Sequence, residues 1–166
     1  FWVHFTSPFT QHLILLLWGT PLLIGGYGFS PAQASTVLTW MVLTGVASGI
    51  TLGRVTSRFA SYRVHVIIGM ALGIATSWAV LLLWPGMPPT WLVIVVMTLT
   101  ATGGSASMVA FEVVRAYAPR RAVSLATGSV NSGGFIAALT AIFTIGVVLD
   151  LQGAGSPDRY DLDAFR

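Results

Sequence analysis

Between Thr6 and His12 the chain sets hydroxyls, a carboxamide and an imidazole into a segment that is otherwise apolar. At helical spacing Thr6 and Thr10 share one face and Ser7 and Gln11 the next, with His12 adjacent. Such a set suits hydrogen-bonded recognition of a polar solute. Gln11 offers a donor and an acceptor without charge, and His12 is the ionisable group well inside the apolar run, which in a membrane segment marks function by default. A second polar run, Thr98 to Ser107, puts Thr98, Thr102 and Ser105 on one helical face, and a third, Ala126 to Gly134, carries Asn131. Trp40 reads as a cavity aromatic or a packing tryptophan. Thr10, Gln11, His12, Trp40, Thr102 and Asn131 are therefore the expected substrate-pathway residues, with interhelical packing and hydrogen bonding as the competing role for each. No catalytic residue is expected: Gly103-Gly104-Ser105-Ala106 lacks the glycine after the serine that a nucleophile elbow needs, and no carboxylate is placed to orient His4 or His12. Neither a metal site nor a cofactor is expected.

Charged residues follow a different pattern. Arg54, Arg58 and Arg63 fall within residues 53–63, Arg115, Arg120 and Arg121 within 115–123, and only Arg159 and Arg166 lie elsewhere. The segments between these clusters carry no charge over stretches long enough to cross a bilayer. A guanidinium is costly in hydrocarbon and favourable beside anionic headgroups, so both basic stretches are expected to be cytoplasmic loops. Glu112 precedes Arg115 by one helical turn, where a local ion pair is natural, and a pairing across helices with Arg58 would make it a gate. Gly53, Arg58, Glu112 and Arg115 are the expected gate residues.

The elements that position these groups follow from composition. With 166 residues, 55% hydrophobic and only 8% charged, the chain departs far from the roughly 25% charged residues of an ordinary soluble domain, and its mean hydropathy is +0.82. Such a chain lacks the polar surface to face water all round. A net charge of +3 without lysine, gathered beside apolar runs, reads as topology and argues against nucleic-acid binding. Without cysteine there is no disulfide framework. The apolar runs are each close to the ~20 residues a membrane helix needs. They predict an all-α, polytopic transmembrane bundle over residues 1–152, with spans at about 2–23, 34–52, 64–84, 91–113 and 124–149. Pro8 and Gly19-Thr20-Pro21 predict a kinked first helix, Ser30-Pro31 a helix start, and Gly45, Gly49 and Gly53 a smooth packing stripe. Residues 153–166 read as an extracytoplasmic tail, with a helix-start pattern at Ser156-Pro157-Asp158 and the foot of a further helix from Tyr160 to Arg166. The sequence opens at Phe1 with neither an initiator methionine nor a basic leader, so a truncated chain is expected.

Two stretches carry a family resemblance. Gly53-Arg54-Val55-Thr56-Ser57-Arg58-Phe59-Ala60-Ser61-Tyr62-Arg63 resembles a weakened copy of the Gly-x-x-x-Asp-Arg-x-Gly-Arg-Arg loop of the major facilitator superfamily; Gly53 and Arg58 match, Ser57 stands in place of the acid, and Ala60 in place of the second glycine. Glu112-Val113-Val114-Arg115, followed by Pro119, Arg121, Ala126, Thr127, Gly128, Asn131 and Gly133-Gly134, is similar to the connection between the tenth and eleventh helices of such transporters. The resemblance covers essentially the whole chain and implies the C-terminal half of a transporter, helices seven to eleven. It also implies secondary active transport of a small polar or organic solute by alternating access in a plasma or bacterial inner membrane, with the N-terminal half of the same transporter as partner. The competing classes are a non-transporting membrane subunit, for which five helices with a small-residue stripe are equally suited, and an intramembrane enzyme.

Overall fold

In the computed structural model the chain forms five helices long and apolar enough to cross a membrane: α1 (Trp2–Gly26), α2 (Pro31–Arg58), α3 (Ala60–Leu82), α4 (Thr90–Tyr117) and α5 (Arg120–Leu151). Helix accounts for 82% of the chain, and the described residues, 1–156 and 159–166, contain no strand. The protein is an all-α, multi-pass membrane bundle.

The helix ends show how local sequence acts. α2 opens on a capping box in which Ser30 Oγ accepts from the Gln33 amide (3.2 Å) and Gln33 Oε1 accepts from the Ser30 amide (2.8 Å), with Pro31 at the first helical position. It then continues through Arg54 and Arg58 and ends at Phe59. The stretch 53–63 expected as a loop is thus mostly helix, closed by a 3₁₀ turn at Ala60–Tyr62 before the chain turns helical again at Arg63. No proline interrupts 53–58, and arginine is a good helix former once its head is in water. α4 likewise runs to Tyr117. There Pro119 holds Ala118 extended, at φ −75° and ψ 138°, and stops the helix.

α1 is the irregular member. Short α-helical turns at Trp2–Thr6 and Phe9–Leu13 flank Ser7-Pro8, and π-helical turns at Ile14–Trp18 and Leu22–Gly26 flank Gly19–Pro21. Each proline lacks the amide hydrogen that would continue the ladder, so the expected kinking takes the form of a bend at Ser7-Pro8 and of widened turns on either side of Gly19–Pro21. α4 breaks once, at Thr102, between Thr90–Ala101 and Gly103–Tyr117.

α4 is the central helix, packed against α1, α2, α3 and α5. Its apolar stretch is 61% buried, against 6% in α3. Lipid tails are as apolar as leucine, so hydrophobicity alone does not choose the inner helix; close packing and hydrogen bonds do. At Gly45 of α2 an added Cβ would lie 3.3 Å from the Ala101 carbonyl oxygen, and at Gly49 3.6 Å from Ser105 Oγ, while Gly53 has no neighbour within 4 Å. Two of the three stripe glycines therefore seat α2 on α4.

The C-terminal segment folds back over one end of the bundle. Tyr160 and Phe165 meet the Trp18 ring at 5.8 and 6.3 Å between centroids. Arg166 donates to the carbonyl oxygens of Trp84 and Gly86, both at 2.6 Å. Over Tyr160–Arg166 the described backbone makes hydrogen-bonded turns. Pro157 and Asp158 of the expected helix start lie outside the described residues.

Candidate functional site

The two discontinuous helices meet at their interruptions. Beyond Thr102 the second half of α4 starts at Gly103, and the Gly104 amide donates to Gln11 Oε1 of α1 at 2.7 Å. Gln11 thereby satisfies a backbone donor at the start of a half-helix, where amides lack intrahelical acceptors and the helix dipole is positive. Its Nε2 lies over Gly45 of α2, 3.1 Å from where a Cβ would stand. Gln11 is therefore a three-helix junction between α1, α2 and α4. The glycines are needed for contact: a Cβ on Gly103 would run into the Ser7 carbonyl oxygen, and one on Gly104 into Gln11 Oε1.

The other pathway candidates divide among three faces. Thr10, with Thr6 and Ser7, lines a cavity of about 330 Å³ between α1, α3 and α4 that is otherwise walled by apolar residues including Ile74 and Trp78. His12 and Asn131 come together in a smaller cavity of about 160 Å³ between α1, α4 and α5, with His4, Gly104, Ser107 and Gly134. Trp40 of α2 donates its indole N–H to Thr98 Oγ1 of α4 at 2.9 Å. Thr102 donates to the Leu99 carbonyl at 2.7 Å, within the break itself.

Trp40 has a counterpart on the opposite side of α4. Trp78 of α3 donates to Thr100 Oγ1 at 2.8 Å, and both threonines pass their own hydrogens to carbonyls one turn back, Ile94 and Val96. Residues two apart are separated by about 200° around a helix, so Thr98 faces α2 and Thr100 faces α3. Ser105 adds a further bond to α2, donating to the Gly45 carbonyl at 3.1 Å.

At the basic end the structure brings Glu112 to Arg63. Arg63 Nε lies 3.3 Å from Glu112 Oε2, with both side chains about a quarter exposed, and donates to the Thr56 carbonyl at 3.0 Å. The Thr56 hydroxyl lies 2.9 Å from the Leu52 carbonyl oxygen and 3.2 Å from Glu112 Oε1. Glu112 Oε2 is buried and faces Arg63 without a hydrogen bond of its own. Arg58 instead places its guanidinium over the Phe59 ring, 5.7 Å from the centroid, and Arg115 is exposed one turn beyond Glu112. Of the expected gate residues, Gly53 is a helical position open to one side and Glu112 alone enters the cluster.

Over 153 residues the chain is 26% identical to the probable galactarate/D-glucarate transporter GudP of Bacillus subtilis (strain 168), an alignment covering 87% of this chain and 32% of that protein. The chain is similar to part of a transporter. It spans about a third of the length of the curated relative it matches. No family model matches the chain, and no solved structure does.

Beside this transporter likeness, four contributors were not legible as site residues. Arg63 and Thr56 complete the Glu112 cluster; a helix continued through Arg58 would have put Thr56 inward. Trp78 mirrors Trp40. His4 is buried against Phe111, ring centroids 4.8 Å apart, and in the sequence alone it was weighed only as a catalytic histidine and set aside for want of an orienting carboxylate.

Proposed function

We propose that this chain is the C-terminal part of a secondary transporter of the major facilitator type, moving a small hydroxylated organic acid across a membrane by alternating access. The observation that carries the reading is the junction at Gln11, Thr102, Gly103 and Gly104, where two interrupted helices bring polar groups together midway along their lengths, beside cavities lined by Gly103 and Gly104. Interrupted helices at that depth are how transporters build solute sites, because irregular backbone is tolerated there only where protein or water satisfies it. The likeness to a probable galactarate/D-glucarate transporter supports both the activity and the solute class. In this reading α1 to α5 are helices seven to eleven, and the N-terminal half of the same transporter packs beside them. The basic ends around Arg58 and Arg120 lie in the cytoplasm, as their arginines favour.

Uptake by the full-length protein in proteoliposomes tests the proposal. Radiolabelled D-glucarate should accumulate in competition with other sugar diacids and not with sorbitol. Equal inhibition by sorbitol would remove the acid from the reading, and no protein-dependent flux would remove transport.

A further inference from the structure

The arginines at one end of the bundle are set among exposed apolar side chains. Arg63 meets Glu112 at 3.3 Å, and this pair ties the turn after α2 to the end of α4, so two basic stretches far apart in sequence share one face. Among the described residues Arg63 is the only arginine in an ion pair. Arg54, Arg58, Arg115, Arg120 and Arg121 are all exposed. Glu112, already held by Arg63, is the one carboxylate near them, since the others lie from Asp150 onward. Within a few residues of these charges Val55, Phe59, Tyr62, Val64, Tyr117 and Leu125 are also exposed, and Arg58 lies over the Phe59 ring, which keeps a guanidinium and an aromatic face at one level. Such a surface asks two things of a partner: anionic oxygens for the guanidiniums and hydrocarbon for the side chains between them. A free anion meets only the first. An anionic phospholipid meets both, with its phosphate beside the arginines and its acyl chains along the helices.

We propose that this end of the bundle is a docking surface for anionic phospholipid, with lipid phosphates held by Arg54 and Arg58 at the end of α2 and by Arg115, Arg120 and Arg121 between α4 and α5, on either side of the Arg63–Glu112 pair. The surface is independent of the transport reading and goes beyond sidedness. Sidedness needs only net charge at one end, whereas retention of anionic lipid needs guanidiniums that no carboxylate of the protein has taken and apolar side chains beside them. Arg54 and Arg58 are one helical turn apart and so lie on the same face of α2. Arg120 and Arg121 sit on the 3₁₀ turn that opens α5. The fork of a guanidinium matches two phosphate oxygens at once, which a neutral carboxamide cannot do.

The experiment uses full-length protein in vesicles of phosphatidylglycerol and phosphatidylcholine in equal amounts, where one or the other lipid carries a photoreactive group beside its headgroup, and maps the adducts by mass spectrometry. Residues 54–65 and 113–125 should each take up phosphatidylglycerol about fivefold more than phosphatidylcholine, the worth of one arginine near a charged membrane surface. Arg54→Gln with Arg58→Gln should cut that excess at least about twofold on the first stretch, and Arg120→Gln with Arg121→Gln on the second, while the corresponding lysine pairs keep it. Equal labelling by the two lipids in the parent would overturn the proposal, as would an unchanged excess in both glutamine pairs or equal loss in the glutamine and lysine pairs. Inorganic phosphate added at fixed ionic strength should leave the excess in place; if it abolishes the excess, the arginines serve a soluble anion and the proposal falls. Should a glutamine pair fail to insert, the salt series on the parent decides, because an excess held by exposed charges must fall as salt rises, and one that does not fall refutes it.

Discussion

Replacing Gln11 by methionine removes the acceptor of the Gly104 amide while keeping side-chain length and most of its volume. The Gly104 N–H, half-buried at the start of a half-helix, would then lose its acceptor within the protein, because the residue four positions back sits on the far side of the Thr102 break. Leaving a buried donor unpaired costs about 1–3 kcal/mol. A loss of 1 kcal/mol lowers the melting temperature of a protein of 150–250 residues by about 2–4 °C and of a larger one by less, so the expected drop in the full-length protein is a few degrees and at most about 12 °C. Gln11→Glu retains an acceptor at the same reach and should melt above Gln11→Met if protonated at low pH. The assay is thermal unfolding of the full-length protein in one detergent, with surface expression and D-glucarate uptake measured in parallel. Loss of uptake with an unchanged melting temperature would refute the structural role and return Gln11 to direct solute contact. Unchanged values of both would refute the junction altogether.

Three further outcomes follow from the same contacts. Glu112→Gln and Arg63→Gln should each destabilise by an amount between the ~0–1 kcal/mol of an exposed pair and the ~3–5 kcal/mol of a desolvated one, and a double-mutant cycle should show at least ~0.5 kcal/mol of coupling. The corresponding cycle with Arg58→Gln should be additive, since Arg58 lies over Phe59; coupling to Arg58 in place of Arg63 would contradict the cluster. Gly53→Ala, which meets open space within a helix, should raise stability by about 0.4–1 kcal/mol, whereas Gly103→Ala should lower it by about 1–3 kcal/mol against the Ser7 carbonyl; melting curves of the two variants read the difference in sign. Cysteines placed at Ser61 and Gly86 should label from opposite sides of the membrane in intact cells, and equal labelling from outside would reject the sidedness assigned by arginine.

How far the sequence foretold this arrangement depended on the range of the interaction. Span number came from hydrophobic length, a property of consecutive residues, and the Ser30-Pro31 start and the α1 irregularities came from proline and capping chemistry within a few positions. Helix ends at the basic stretches were read too short, because arginine near a boundary was taken to end a helix when it only ends the hydrocarbon. Pairings between helices were the least legible. Thr98 and Thr100 look alike in sequence, and it is the position of α2 and α3 around α4 that gives each a different tryptophan. Glu112 had Arg115 on its own helix and Arg58 at a motif position as plausible partners; the fold chose Arg63, which the 3₁₀ turn after α2 swings back toward α4. His4 was passed over because burial is set by Phe111 and Gly134, which lie more than a hundred residues away.

The continuous helices α2 and α5 outreach the membrane. The 28 residues of Pro31–Arg58 and the 29 of Val123–Leu151 correspond to about 42 and 44 Å at 1.5 Å per residue, against about 30 Å of hydrocarbon. Some 12–14 Å of each rod therefore stands clear of the acyl chains, and part of that excess carries Arg54 and Arg58. A rod that protrudes is a lever arm. If one swings through about 20°, an angle equal to the mean inclination of membrane helices, a tip 14 Å above the pivot sweeps about 5 Å sideways, roughly the width of an arginine head group. A displacement that is small at the level of Gln11 is thus magnified at the basic end, where Arg63 grips Glu112 over only 3.3 Å.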